Sequence, residues 1–190
     1  GVRREALAPV RGNVLEIGFG TGLNLPHYSN QLTKLTAVDP ARMLKDRVER
    51  RIAEAGMPVE QIHLDAGGRL PLDDDSFDFV VTTFTLCSIA EAGAALREMR
   101  RVLKPEGRYV FLEHGRSDDL RVAKRQDFFN PIQKVIACGC NINRPIDRLI
   151  RGAGFAITRL DRYVMPETPR MFGEMYRGSA RKAETGRQFA

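Results

Sequence analysis

The segment EIGFGTG, Glu16 to Gly22, sets an acid before three glycines at alternate positions and follows directly on an apolar run. Glycines in such a loop let the backbone turn tightly and pass close beneath a ligand. A dinucleotide fingerprint, GxGxxG counted from Gly18, needs its third glycine at position 23. That position is Leu23, and the glycine comes one residue early at Gly22, which takes weight from a nicotinamide reading. Glu16 can orient a cationic amine through charge-assisted hydrogen bonds. Asp39 lies 21 residues beyond Gly18 and ends a second apolar run. Its two carboxylate oxygens suit a vicinal diol. Asp65 ends a third run. Three acids at strand ends, in order with a glycine loop, make one ligand-binding constellation rather than three unrelated helix caps.

Other residue types bear on chemistry downstream. Thr83 to Ser88, with Phe84 and Cys87 in it, follows a fourth apolar run, and Glu113 and His114 follow a fifth. His114 can act as a base or as a thiolate partner. Glu113 is the second catalytic candidate, with capping of the following helix as its alternative. His27 and Tyr28, just after the glycine loop, can roof a ligand bound there or pack in the core. Cys87, Cys138 and Cys140 are too few for a disulfide framework and point to a reducing, cytoplasmic compartment. They lack a CxxC pair, and three thiols alone do not specify a geometry. The expectation is a structural role for each and no metal.

These residues need elements to hold them. NVLEI (13–17), LTAVD (35–39), IHLD (62–65), FDFVVTTF (77–84) and RYVFLE (108–113) read as strands. Helical patterns lie between them at Arg42–Ala55 and Glu91–Leu103, the second stopped by Pro105. The alternation predicts an α/β fold, a doubly wound, mostly parallel sheet of βαβ units. Residues 117–151 read as helical, broken near Asn130-Pro131 and again around Cys138–Pro145. Residues 155–163 and 172–180 read as a returning C-terminal hairpin, antiparallel to the sheet. With no repeat and no low-complexity tract, the 190 residues form a single domain: a ligand-binding half (13–113), the helical insert (117–151) and the hairpin (155–180).

The acidic-x-Gly-x-Gly-x-Gly pattern resembles motif I of class I S-adenosylmethionine-dependent methyltransferases, which have a Rossmann-like fold. LPLDDDSFDFVV (70–81) and ALREMRRVLKPEGRYVFLE (95–113) resemble the stretches around that family's fourth and fifth strands. Glu106 stands where the family usually has the first glycine of a Pro-Gly-Gly turn, leaving Gly107 for the expected positive-φ position. LCSI (86–89), EHG (113–115), GCNINR (139–144) and MYRGSAR (175–181) resemble the methyltransferase-like thiol S-methyltransferases and their bacterial relatives. The general core is similar to ubiquinone-type (type 11) and phosphatidylethanolamine methyltransferases.

The resemblance implies S-adenosyl-L-methionine as cofactor and S-adenosyl-L-homocysteine as product. It implies cofactor contacts from Glu16, Gly18, Phe19, Gly20, Asp39, Pro40, Asp65, Ala66, Thr83 and Phe84. Asp65 and Ala66 would meet the adenine, and His27, Tyr28 and Cys87 would lie near the acceptor. The activity implied is methyl transfer to a small nucleophile, most readily a thiol or sulfide. A phospholipid amine, a quinone, arsenite, or cofactor binding without turnover are the alternatives.

A net charge of +6 raises the question of nucleic acid. Residues 1–12 carry +2, residues 159–190 carry +3, and the rest of the chain only +1, so there is no basic stripe along the ligand-binding half. The expected partner is a small-molecule acceptor and not nucleic acid. No apolar run approaches the ~20 residues of a spanning helix. The first twelve residues have no signal-peptide core, and the membrane anchor of the animal relatives has no counterpart in the sequence. Arg121–Ala137 mixes aromatic and aliphatic residues with Arg and Lys, as an interfacial helix or a helix over the active site would. Peripheral membrane contact is therefore open, as is the oligomeric state.

Overall fold

Val14 to Ile17 are buried without alternation, the signature of a strand covered on both faces. The computed structural model describes residues 1–40, 45–137 and 139–184 and places this strand inside a seven-stranded sheet. Its strands are β1 (Gly12–Ile17), β2 (Leu32–Val38), β3 (Val59–Ile62), β4 (Phe77–Thr83), β5 (Leu103–His114), β6 (Phe155–Val164) and β7 (Glu174–Lys182), in the spatial order β3-β2-β1-β4-β5-β7-β6. The first five pair in parallel, and β7 pairs antiparallel with both β5 and β6. The doubly wound Rossmann-like fold with its C-terminal antiparallel hairpin is thus as the sequence predicts. The chain leaves β1 in one direction and returns to its other side as β4, so a crevice opens beyond their carboxyl ends.

The helices are α1 (Val2–Leu7), α2 (Lys45–Glu54), α3 (Ala92–Val102), α4 (Leu120–Ile136), α5 (Ile146–Gly152) and the single turn α6 (Arg170–Gly173). Of the helix expected over 42–55, positions 42–44 lie outside the described residues, as does Cys138. Ala92, Ala95, Leu96, Met99 and Val102 of α3 pack on one face of the sheet with Ile146 and Ile150 of α5. Leu7, Val48 and Leu25 cover the other face.

Five features depart from the sequence expectation. The third strand is 59–62, not 62–65, because its partner β2 ends at Val38, opposite Ile62. Asp65 therefore sits in the loop beyond the strand. The fifth strand starts at Leu103, and the KPEG stretch forms an irregularity between the pairs Phe77–Leu103 and Phe79–Arg108. Gly107 does not have positive φ. Its requirement is close packing: an added Cβ would lie 2.6 Å from the Leu103 side chain and 3.0 Å from the Lys104 carbonyl oxygen. Helix α4 runs unbroken through Pro131. A helical proline removes one backbone bond, and tertiary ties anchor the helix in the turn that leads into it. Gln126 donates to the carbonyls of Gly115 and Met171 at 3.0 and 3.1 Å. Asn130 accepts from Ile142 N at 3.0 Å. Last, the returning strand begins at Glu174, since residues 170–173 close a helical turn first.

Candidate active site

Gly18 leaves β1 at φ +77° directly against the segment that leaves β4. An added Cβ there would lie 2.1 Å from the Thr85 side chain, whose hydroxyl donates to Gly18 O at 3.3 Å. Gly20 also has positive φ (+55°), and a Cβ on it would meet nothing within 4 Å. The loop is thus pinned on one side and open on the other. The open side borders a cleft of about 570 Å³, within the ~300–1,000 Å³ usual for small-ligand sites. All ten sequence-predicted cofactor residues line it. Glu16, Gly18, Phe19 and Gly20 come from β1 and its loop, Asp39 and Pro40 from the end of β2. Asp65 and Ala66 follow β3, and Thr83 and Phe84 end β4.

Glu16 is buried at the floor and organises a network that spacing could not reveal. Its carboxylate accepts from Asn24 Nδ2 at 2.9 Å and from the Tyr28 hydroxyl at 2.7 Å. Arg3, delivered by α1, donates to Asn24 Oδ1 and to Thr83 Oγ1, both at 2.7 Å. Its guanidinium also lies 4.9 Å from the centre of the Phe84 ring. Burial pushes the Glu16 carboxyl up to about 7, although the two hydrogen bonds and the Arg3 charge oppose it. Arg3 and Asn24 carried no signal in the sequence: the partners of Arg3 are 21 and 80 residues away, and neither residue belongs to a motif.

Asp39 Oδ2 accepts from Gly20 N at 2.8 Å, which ties the end of β2 to the glycine loop. Asp65 Oδ1 accepts from Gly67 N at 2.9 Å and so fixes its own turn. Tyr28 reaches Glu16 from behind the loop, and neither Tyr28 nor His27 is among the residues lining the cleft.

The downstream candidates are placed differently. Glu113 is fully buried and does not line the cleft. Its Oε2 accepts from Thr85 N at 2.9 Å and, more weakly, from Cys87 N at 3.4 Å, so it braces the loop that forms the cleft wall. Burial raises its pKa and the backbone donors lower it, with burial the larger effect. The helix that follows is capped by Asp119, whose carboxylate accepts from Arg121 N at 2.8 Å. His114 sits edge-on to Phe84, with ring centres 5.0 Å apart, and Cys87 lies behind the same wall. Ser88, Ile89 and Ala90 complete that wall. The loop after α4 packs outside it: Asn141 N donates to Cys87 O at 2.9 Å.

Residues 15–111 match the sequence profile of a family described as a methyltransferase domain. The chain is 34% identical over 116 residues to phosphatidylethanolamine N-methyltransferase of Cereibacter sphaeroides, covering 59% of this chain and 57% of that protein. It is 30% identical over 157 residues to human thiol S-methyltransferase TMT1A, covering 81% of this chain and 64% of that protein. It therefore spans less than two thirds of either relative's length. A solved structure of 1,6-didemethyltoxoflavin-N1-methyltransferase from Burkholderia thailandensis, with S-adenosylhomocysteine bound, shares the fold. Its TM-score is 0.68 at 19% identity, covering 97% of this chain and 79% of that one.

Proposed function

The chain belongs to the family of S-adenosylmethionine-dependent methyltransferases, and from that premise we propose that it methylates a small thiol or sulfide. When bound, adenosylmethionine supplies an electrophilic methyl group on a sulfonium leaving group. The residues here then have to bind, orient and exclude water. Glu16 and Arg3 offer an acceptor and a cation to the zwitterionic amino-acid end. Asp39 takes the ribose diol. Asp65 and the backbone of Ala66 face the adenine, and Phe19 and Phe84 add apolar surface.

The observation that carries the thiol reading is the lining of the cleft. Apart from the three acids assigned to the cofactor, the described lining residues include no Asp, Glu, His, Lys, Tyr or Cys. An alkylammonium near pKa ~10.4 would need such a base. A thiol near ~8.5 carries its own thiolate fraction at neutral pH. The 64% of TMT1A that the chain matches points the same way. Within the segment 117–151, Gly139 and Asn141 pack against Ser88 and Cys87 behind the cleft wall. A labelled-methyl screen across thiols, amines, phenols and phospholipids tests the reading. Transfer to thiols, rising with pH as the acceptor ionises, is expected. Transfer confined to amines or phenols refutes it.

One observation favours a second reading, methylation of a phospholipid amine. Helix α4 exposes Leu120 (77%), Phe128 (74%), Ile132 (57%), Val135 (82%) and Ile136 (72%), with Arg121, Lys124, Arg125 and Lys134 also exposed. Such a face suits an anionic membrane surface. No described helix is long and apolar enough to cross a membrane. Flotation with anionic vesicles, lost on Phe128→Ser with Val135→Ser, supports this reading, and failure of the unmutated chain to float removes it.

A further inference from the structure

Behind the cleft wall, three side chains distant in sequence meet: Cys87 after β4, His114 at the end of β5, and Cys140 in the loop after α4. The two sulfurs are 3.4 Å apart, and Cys140 Sγ lies 3.9 Å from His114 Nδ1. All three donor atoms fall within 4.8 Å of one another. We propose that Cys87, His114 and Cys140 form a three-donor site for one zinc-like divalent cation.

Three features carry the assignment. The first is distance. Zinc–sulfur bonds of ~2.3 Å and zinc–nitrogen bonds of ~2.0–2.1 Å give tetrahedral edges of about 3.8 Å between sulfurs and about 3.6 Å from sulfur to nitrogen. The observed 3.4 and 3.9 Å lie on either side of these values, so these two edges need shifts of about 0.4 Å or less, and the third edge, from Cys87 to the imidazole, lies within 4.8 Å. The second is charge. Both cysteines are buried, and two thiolates with a neutral imidazole cancel a double positive charge, which a buried site requires. Sulfur and imidazole donors select zinc over magnesium or calcium.

The third is preorganisation. Cys87 O accepts from both the backbone N and Nδ2 of Asn141, at 2.9 and 3.0 Å. Asn130 holds Ile142 on the far side of Cys140. Arg144 clasps the carbonyls of Leu86 and Ile89, each at 2.6 Å, which fixes the loop carrying Cys87 and brings a cation beside the thiolates. The two cysteine-bearing loops are thus held by hydrogen bonds outside the ligand set, and pairing with Met175 in the sheet fixes the backbone of His114.

Three protein donors leave a fourth position on a tetrahedral ion. Ser88 Oγ lies 3.6 Å from Cys87 Sγ, and Ser88 also lines the cleft. His114 touches Phe84, another lining residue. An ion here would stiffen the wall of the cleft from behind.

The test uses the full chain, reduced and stripped of metal, titrated with Co²⁺ and then competed with Zn²⁺. One equivalent should bind, with sulfur-to-metal charge-transfer absorption and the bands of a tetrahedral ion. Cys87→Ser and Cys140→Ser should each weaken binding about tenfold or more and remove much of the charge-transfer intensity, and His114→Ala should weaken it likewise. X-ray absorption on the unmutated Zn²⁺-loaded chain keeps the test independent of whether the variants fold. Sulfur in the metal shell supports the site. A shell of only oxygen and nitrogen overturns it, as does the lack of stoichiometric Co²⁺ uptake or full uptake by both serine variants. So does a Cys87–Cys140 disulfide that persists in reductant.

Discussion

Glu16 should make cofactor affinity depend on pH, and Glu16→Gln should abolish that dependence. The carboxyl is 1% exposed, and burial raises its pKa from 4.5 to about 7 against the pull of Tyr28, Asn24 and Arg3. If the ionised form receives the ammonium of the ligand, affinity follows the ionised fraction. For a pKa of about 7, that fraction is about 3% at pH 5.5 and about 75% at pH 7.5. The dissociation constant for adenosylhomocysteine should therefore fall about 25-fold across that window, near 1.9 kcal/mol. Calorimetry in two buffers of different ionisation enthalpy should also report release of about half a proton at pH 7. In Glu16→Gln the profile should be flat and the proton release absent.

The same shift makes a stability claim with a defined sign. The unfolded chain gives up this proton near 4.5 while the folded chain keeps it to about 7. The unliganded protein thus loses stability as pH rises between those values, by up to about 3 kcal/mol, and no more above them. Glu16→Gln should recover that loss at neutral pH and match the wild type near pH 4. A wild-type affinity that is level from pH 5.5 to 7.5, or a glutamine variant that keeps the slope, would refute the reasoning.

Asp39→Ala removes the assigned diol acceptor and the tie to Gly20 N, so cofactor affinity should drop at least about a hundredfold. Calorimetric affinity near that of the wild type would rule out the assignment. Gly18→Ala puts a Cβ 2.1 Å from a Thr85 side chain on a backbone with φ +77°. It should cost about 2–4 kcal/mol in a denaturant melt, and an unchanged midpoint would mean that the loop is not pinned. Arg3→Ala breaks the bonds to Asn24 and Thr83. It should weaken adenosylhomocysteine about tenfold or more, and because it removes the charge nearest Glu16 it should move the pH midpoint upward. A midpoint unmoved by the substitution would separate Arg3 from the Glu16 network.

Much of this protein was legible from the residues in order. Apolar runs ending at Ile17, Asp39 and Phe84 marked the parallel strands, the spacing of glycines and acids marked Glu16, Gly18, Gly20, Asp39 and Asp65, and the family resemblance implied the other five predicted cofactor residues but not Arg3. The reason is local. A strand buried on both faces must be continuously apolar, and a loop at its carboxyl end opens into the crevice between β1 and β4 whichever way the remaining chain packs. Where a neighbour sets the boundary, the pattern erred: β3 stops where β2 stops, and α4 reaches Pro131 already anchored by Gln126 and Asn130 in the turn before it.

Only the tertiary structure could bring Arg3 to Thr83, or turn Glu113 inward to brace the loop at Thr85. It alone sets Cys87, His114 and Cys140 within 4.8 Å of one another. Those meetings join segments from different elements, and no periodicity records them. They follow from the order in which strands pair and from the side of the sheet each helix covers, which are properties of the packed chain and not of any stretch within it.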